Sequence, residues 1–219
     1  MKTACIATVV LTLAVTLAAA EADKRSSDIN LPTPRMEGGK PLMAALKDRQ
    51  STRAYSDKPL PLQTLSDLLW AAFGINRADS GKRTAPSTMD WQEIDIYVVL
   101  PDATYVYDAK ANTLRAIVKG DLRKQTGKQE FAATAPLNLV FVADLSKMKG
   151  IAAADQAMYL GADTGFISQN VYLFCASEGL VTVVRGMFDG PALAKALNLP
   201  EQRKIVLTQT VGYPAAAAR

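Results

Sequence analysis

Apolar positions along this chain recur at two periods. Between Leu62 and Phe73 they fall at Leu62, Leu65, Leu68, Leu69 and Ala72, the spacing of a helix with one buried stripe, and Gly74 supplies its stop. A shorter helix is predicted over Pro41 to Asp48, with proline in the first turn, where its missing N–H costs nothing. From Glu93 to Leu100 the period drops to two (Ile94, Ile96, Val98), which predicts a strand with Glu93 and Asp95 on its solvent face. Further strands are expected at Thr104 to Tyr107 and Thr113 to Val118, joined by the polar turn Asp108 to Asn112. The unbroken apolar run within Pro136 to Ala143 reads as a buried strand. Asp155 to Glu178 is the longest helical stretch and ends at Gly179; its apolar and small residues run nearly all round, so it needs cover on most sides. A strand over Leu180 to Val184, a short helix over Pro191 to Leu197 and a last strand over Lys204 to Val211 follow. Asp121 to Thr126 reads as a short helix and residues 75–90 as a long polar loop. Meandering strands early and a long helix later give an α+β class.

Residues 1–20 have the build of an export signal. Lys2 opens it, Ile6 to Leu17 is apolar but short for a membrane span, and Ala18-Ala19-Ala20 suits cleavage before Glu21. The expected destination is the periplasm or cell envelope, with no stable membrane anchor. Residues 21–40 hold Pro32, Pro34, Gly38 and Gly39 and read as an extended arm; residues 41–219 form the folded domain.

Composition narrows the chemistry. Hydrophobic residues make up 49% and charged residues 21%, the balance of a chain that buries a core. The net charge of +4 is spread out, with no basic run or aromatic-interleaved stripe, which argues against nucleic acid as a partner. Histidine is absent, so neither a serine–histidine nor a cysteine–histidine nucleophile can be built. Of the two cysteines, Cys5 lies in the leader, leaving Cys175 as a lone thiol that reads as buried and inert. No glycine-rich dinucleotide loop and no Gly-Lys-Ser/Thr loop is present.

Two segments carry candidate chemistry. Arg49-Gln50-Ser51-Thr52-Arg53 and Arg83-Thr84-Ala85-Pro86-Ser87 each place a guanidinium and a hydroxyl within a few residues. Paired guanidinium donors suit a phosphate or a planar heterocycle, and the hydroxyl completes the shell. Together they suggest two walls of one site for an anionic ligand. Arg49-x-Ser51-x-Arg53, the loop Pro86-Ser87-x-x-Asp90-x-Gln92, the long helix leading into Glu178-Gly179-Leu180, the segment Val183-Val184-Arg185-Gly186 and the closing Gly212-Tyr213-Pro214 together resemble the FMN-dependent nitroreductase family, including its SagB-type dehydrogenase branch.

That resemblance implies a nitroreductase-like fold, with a central antiparallel or mixed sheet flanked by helices and a long helix at a homodimer interface. It implies FMN held by Arg49, Gln50, Ser51, Arg53, Pro86, Ser87, Asp90, Arg185 and Gly186, without a catalytic side chain or a metal. Arg49 and Ser51 would take the phosphate and Arg53 the pyrimidine end of the ring. Pro86 and Ser87 would lie against the ring or its ribityl chain, from across the interface. Arg185 and Gly186 would offer backbone N–H groups, and the Arg185 side chain could also meet an anionic substrate. Asp90 stands where the family pattern has Asn, and an ionised Asp only accepts hydrogen bonds. The implied activity is hydride or electron transfer to or from a conjugated small molecule of nitroaromatic or quinone type. Export leaves the donor open between NAD(P)H and another redox partner. The alternative is a non-catalytic protein that binds flavin or another anion. Tyr172, Trp70, Trp91 and Phe166 read as core or interface.

Overall fold

The computed structural model describes residues 26–216; the leader predicted over 1–20 lies outside them. Seven strands form one antiparallel sheet: β1 (Ile29–Asn30), β4 (Ile94–Val99), β5 (Ala103–Asp108), β6 (Thr113–Lys119), β7 (Leu137–Asp144), β8 (Val181–Arg185) and β9 (Arg203–Gly212), in the order β1-β6-β5-β4-β7-β9-β8. Every pairing is antiparallel. Alternation along β4 sorts its side chains between two cores. Ile94, Ile96 and Val98 join Leu65, Leu68, Leu69, Ile167 and Val171 on one face. Tyr97 and Val99 join Val140, Val142, Leu193 and Leu197 on the other. The first face is covered by α2 (Leu62–Phe73) and α4 (Ala153–Glu178), and the second by α5 (Gly190–Ala196). The remaining helices are α1 (Leu42–Asp48) and α3 (Phe131–Thr134), the latter a single turn with no sequence signal of its own.

The described part of the extended arm is tied to the domain: β1 pairs with β6, the Arg35 guanidinium donates twice to Asp67 Oδ2, and the Asn112 amide donates to the carbonyls of Leu31 and Pro32. Two expectations change. The polar stretch 75–90 contains a hairpin, β2 (Ile75–Arg77) against β3 (Lys82–Arg83), and a tight turn over Thr88–Asp90. Glu93 is fully buried rather than solvent-facing, while Asp95 does reach the partly exposed surface and pairs with Arg203. Alternation fails at Glu93 because the strand starts at Ile94 and Gln92, at φ 47°, turns the chain just before it.

Within this chain α4 is half covered. Leu160, Asp163, Thr164, Ile167, Ser168, Val171, Tyr172 and Cys175 face inward. Ala157, Met158, Gly161, Ala162, Gly165 and Phe166 are exposed, Met158 at 63% and Phe166 at 46%. A Cβ placed on Gly161 or Gly165 would meet nothing within 4 Å, so packing inside the chain gives no reason for either glycine.

Candidate functional site

Segment 49–53 leaves the end of α1, where the Arg49 N–H still closes the helix on the Ala45 carbonyl. It is then tied to the sheet's edge strand. The Thr52 N–H donates to the Thr182 carbonyl, and the Tyr55 hydroxyl donates back to the Thr52 carbonyl. The decisive connection is Tyr172 on α4, which is 7% exposed. Its hydroxyl lies 2.8 Å from Ser51 Oγ and accepts the Val184 N–H at 3.0 Å. Its ring carries the Arg49 guanidinium 5.4 Å from the centroid. One side chain thus binds the Arg49–Arg53 segment to the end of β8, where Arg185 and Gly186 follow. The sequence reading places Tyr172 in the core or an interface; the signal for its further role is its place on the inward stripe of α4, where a buried hydroxyl must find partners.

Arg49, Gln50, Thr52, Tyr172, Thr182 and Pro214 line a polar cleft of about 580 Å³. Gln50, Ser51 and Arg53 are exposed, and Arg49 is half-buried. Among the described residues neither Arg49 nor Arg53 is paired with a carboxylate. Two uncompensated guanidinium groups beside a cleft favour an anion there.

Gly186 is exposed, and a Cβ there would touch only Leu207, at 3.8 Å, so its backbone is open to close approach. The Arg185 side chain behaves otherwise. It is 6% exposed and donates to the Thr126 carbonyl at 3.0 Å and to Asn138 Oδ1 at 2.8 Å. The Phe131 ring lies over it at 5.6 Å. Gly127 makes room for it, since a Cβ there would lie 1.7 Å from Arg185 Nη1. Burial without a carboxylate partner pushes its pKa down to about 10. The guanidinium is therefore part of the interior, which overturns the role for it on an anionic substrate and leaves only the backbone of this segment available.

Pro86, Ser87 and Asp90 line a different hollow, of about 200 Å³, with Arg77, Arg83 and Gln92. Arg83, offered above as the guanidinium of this wall, is spent on holding the loop. It donates to the Phe73 carbonyl and to Gln92 Oε1 and lies 4.6 Å from the Phe73 ring centroid. Ser87 Oγ accepts the Gln92 N–H and donates to Glu93 Oε2 at 3.1 Å. Thr88 donates through its N–H and its hydroxyl to the two oxygens of Asp163 on α4. Asp90 is exposed and accepts from the Gln92 amide at 3.2 Å.

The structure thus brings 49–53 and 184–186 together and leaves 86–90 apart; the two hollows share no lining residue. Helix geometry gives the reason. One segment is anchored on Tyr172 and the other on Asp163, at opposite borders of the inward stripe of α4. Those positions are separated by about 13 Å of rise and half a turn.

Comparison with known proteins places the chain. The pattern of the nitroreductase family matches residues 46–213. A nitroreductase-like protein of Methanocaldococcus jannaschii is 29% identical over 163 residues, which cover 70% of this chain and 82% of that one. The crystal structure of a nitroreductase-like protein of Ralstonia eutropha is 43% identical, with a TM-score of 0.83 over 87% of this chain and 91% of that chain. One from Anabaena variabilis shares the fold at 23% identity, with a TM-score of 0.73 over 86% of this chain and 42% of that one. The matched stretch contains both arginine-bearing segments, the Tyr172 connection and the open backbone at Gly186, and the chain belongs to the nitroreductase family of flavin oxidoreductases.

Proposed function

We propose that this chain is an exported, homodimeric oxidoreductase that uses FMN to reduce or oxidise a conjugated small molecule of nitroaromatic or quinone type. The observation that carries the cofactor reading is the Tyr172 hydroxyl, which fixes Ser51 beside the end of β8 with Arg49 over its ring. The donor set fits an FMN-like ligand: two guanidinium groups with no carboxylate partner among the described residues, a polar cleft and an exposed glycine backbone. Arg49 and Ser51 would hold the phosphate, Arg53 the electron-rich pyrimidine end, and Gly186 the ring edge through its N–H. Bound FMN would supply hydride and single-electron chemistry. The chain's own part is to position that group, exclude water from it and balance its charge.

Dimerisation is supported by the separation of the two walls and by the exposed face of α4. A twofold partner laid along Gly161 and Gly165 would cover that face and bring its Pro86–Asp90 loop to the first copy's Arg49–Arg53 segment. Export rests on the leader sequence alone. The second reading, a flavin- or anion-binding protein without turnover, is favoured by the exposed carboxylate of Asp90, whose charge opposes a reduced, anionic ring.

The test is the visible spectrum of the purified chain before and after anaerobic NADH, then dithionite. Flavin bands bleached by NADH support the reductase. Bands bleached by dithionite alone point to another donor. Bands that persist through both, or none after FMN is added back, count against an enzyme. Amino-terminal sequencing of the protein from a cell-envelope fraction checks export, with Glu21 as the expected first residue.

A further inference from the structure

Behind the Pro86–Gln92 loop lie two carboxyl groups that the cofactor reading does not use. Glu93 is 0% exposed and Asp163 is 1% exposed. Among the described residues no cation pairs with either. Asp163 accepts the Thr88 N–H at 2.8 Å and the Thr88 hydroxyl at 3.0 Å, one on each oxygen. Glu93 Oε2 accepts from Ser87, but Glu93 Oε1 is buried with no partner. Ser87 and Thr88 are consecutive, so the carboxyl groups they hold lie close together, and two buried carboxylates so placed cannot both stay charged at ordinary pH. A proton on Glu93 Oε1 removes one charge and gives the orphaned oxygen a bond to make, toward Asp163.

The loop these acids hold is strained. Met89 (φ 53°), Asp90 (φ 56°) and Gln92 (φ 47°) occupy the left-handed region without being glycine. Such a shape persists only where its surroundings over-determine it. Here the two fixed points are Ser87, on Glu93, and Thr88, on Asp163.

We propose that Glu93 and Asp163 hold a single proton between them, and that this shared proton latches the 87–92 loop in the shape that faces the cofactor. The role toward the cofactor rests on the flavin reading above; the latch itself does not. Deprotonation would set two buried negative charges against each other, and the strained loop would let go. The charged groups around the pair do not relieve this. Arg83 is engaged with Gln92 Oε1 and the Phe73 carbonyl, Lys147 with the Gln92 carbonyl, and Asp90 with the Gln92 amide. On the neighbouring strands Asp144, whose N–H donates to the Glu93 carbonyl, and Asp95 are both paired with Arg203. Burial, then the charge of Asp163, raises the Glu93 pKa. A raised acid favours the folded loop below that pKa and withdraws the support as pH rises through it.

Trp91 gives a readout that needs no flavin. It lies in the loop, edge-on to Tyr159 on α4 at 6.0 Å. In a Trp70→Phe background it is the single tryptophan. The full chain, freed of any flavin, is titrated from pH 4.5 to 9 while Trp91 emission is followed. A one-proton red shift is expected above the ordinary carboxylate range. Glu93→Gln, which mimics the protonated acid, should remove the transition and keep the low-pH spectrum. If that variant does not fold, Asp163→Asn must move the midpoint down by at least one pH unit. No transition in the parent, an unchanged transition in Glu93→Gln, or an unmoved midpoint in Asp163→Asn would overturn the latch. FMN affinity measured in parallel should fall by up to tenfold per pH unit above the midpoint, and Glu93→Gln should flatten that slope. A Trp91 transition without any FMN binding would leave the latch standing and sink the cofactor reading. FMN binding without the transition would do the reverse.

Discussion

Tyr172→Phe isolates the connection on which the site depends. The substitution keeps the ring, so Arg49 retains its aromatic face. It removes only the hydroxyl that joins Ser51 to the Val184 N–H. Losing the bond to Ser51 costs about 1 kcal/mol, the usual net value for a neutral hydrogen bond, because exposed Ser51 can turn to water. Val184 is half-buried as a residue, so leaving its N–H without a partner adds about 1 kcal/mol, the low end for an orphaned donor. The sum of roughly 2 kcal/mol corresponds to a fall in melting temperature of about 4–8 °C for a domain of this size. Loosening the 49–53 segment, which then keeps only the Thr52 N–H bond to β8, should also weaken FMN by about tenfold, or about 1.4 kcal/mol. Urea unfolding and flavin-fluorescence titration measure the two effects. Ser51→Ala serves as the partner variant: it removes the same bond from its other side and should cost about 1 kcal/mol of stability, and the cycle with Tyr172→Phe gives the coupling between the two hydroxyls. An unfolding midpoint and a flavin Kd both equal to the parent's would refute the claim that Tyr172 organises the site.

Asp90→Asn removes the exposed carboxylate from the loop and should raise the flavin reduction potential by about 5–20 mV, the two-electron equivalent of a screened surface charge; an unchanged or lower potential in spectroelectrochemistry contradicts it. Gly165→Leu meets no atom of its own chain and removes a poor helix former, so its helix should gain up to about 1 kcal/mol while the dimer fails. Sedimentation velocity checks this, and a persistent dimer would remove α4 from the interface. Cys175 is 1% exposed and burial pushes its thiol pKa up, so a disulfide reagent at pH 8 should label it only after unfolding. Prompt labelling of the native chain would show that α4 opens.

Local pattern determined much of this protein. The helix over Leu62–Phe73 keeps its predicted bounds, because its stripe and its stop are both local. The strand register along Ile94, Ile96 and Val98, the long helix ending at Gly179 and the α+β class follow from periodicity in the same way. So do the two arginine-bearing segments, since a guanidinium beside a hydroxyl within a few residues is visible without a fold. What the pattern left undetermined is where side chains go once distant elements meet. The resemblance offers the Arg185 side chain to an anionic substrate, but a glycine more than fifty residues earlier opens an interior path for it. Glu93 reads as solvent-facing, but a left-handed residue before it breaks the alternation. Tyr172 reads as packing, but its hydroxyl falls between two segments that only the folded sheet brings near. Where the two arginine-bearing segments lie within the chain was likewise decided by tertiary structure, in which they line hollows with no residue in common. Periodicity records which face of an element is buried; partners, direction and distance are properties of the assembled layers, and in those this protein's candidate chemistry resides.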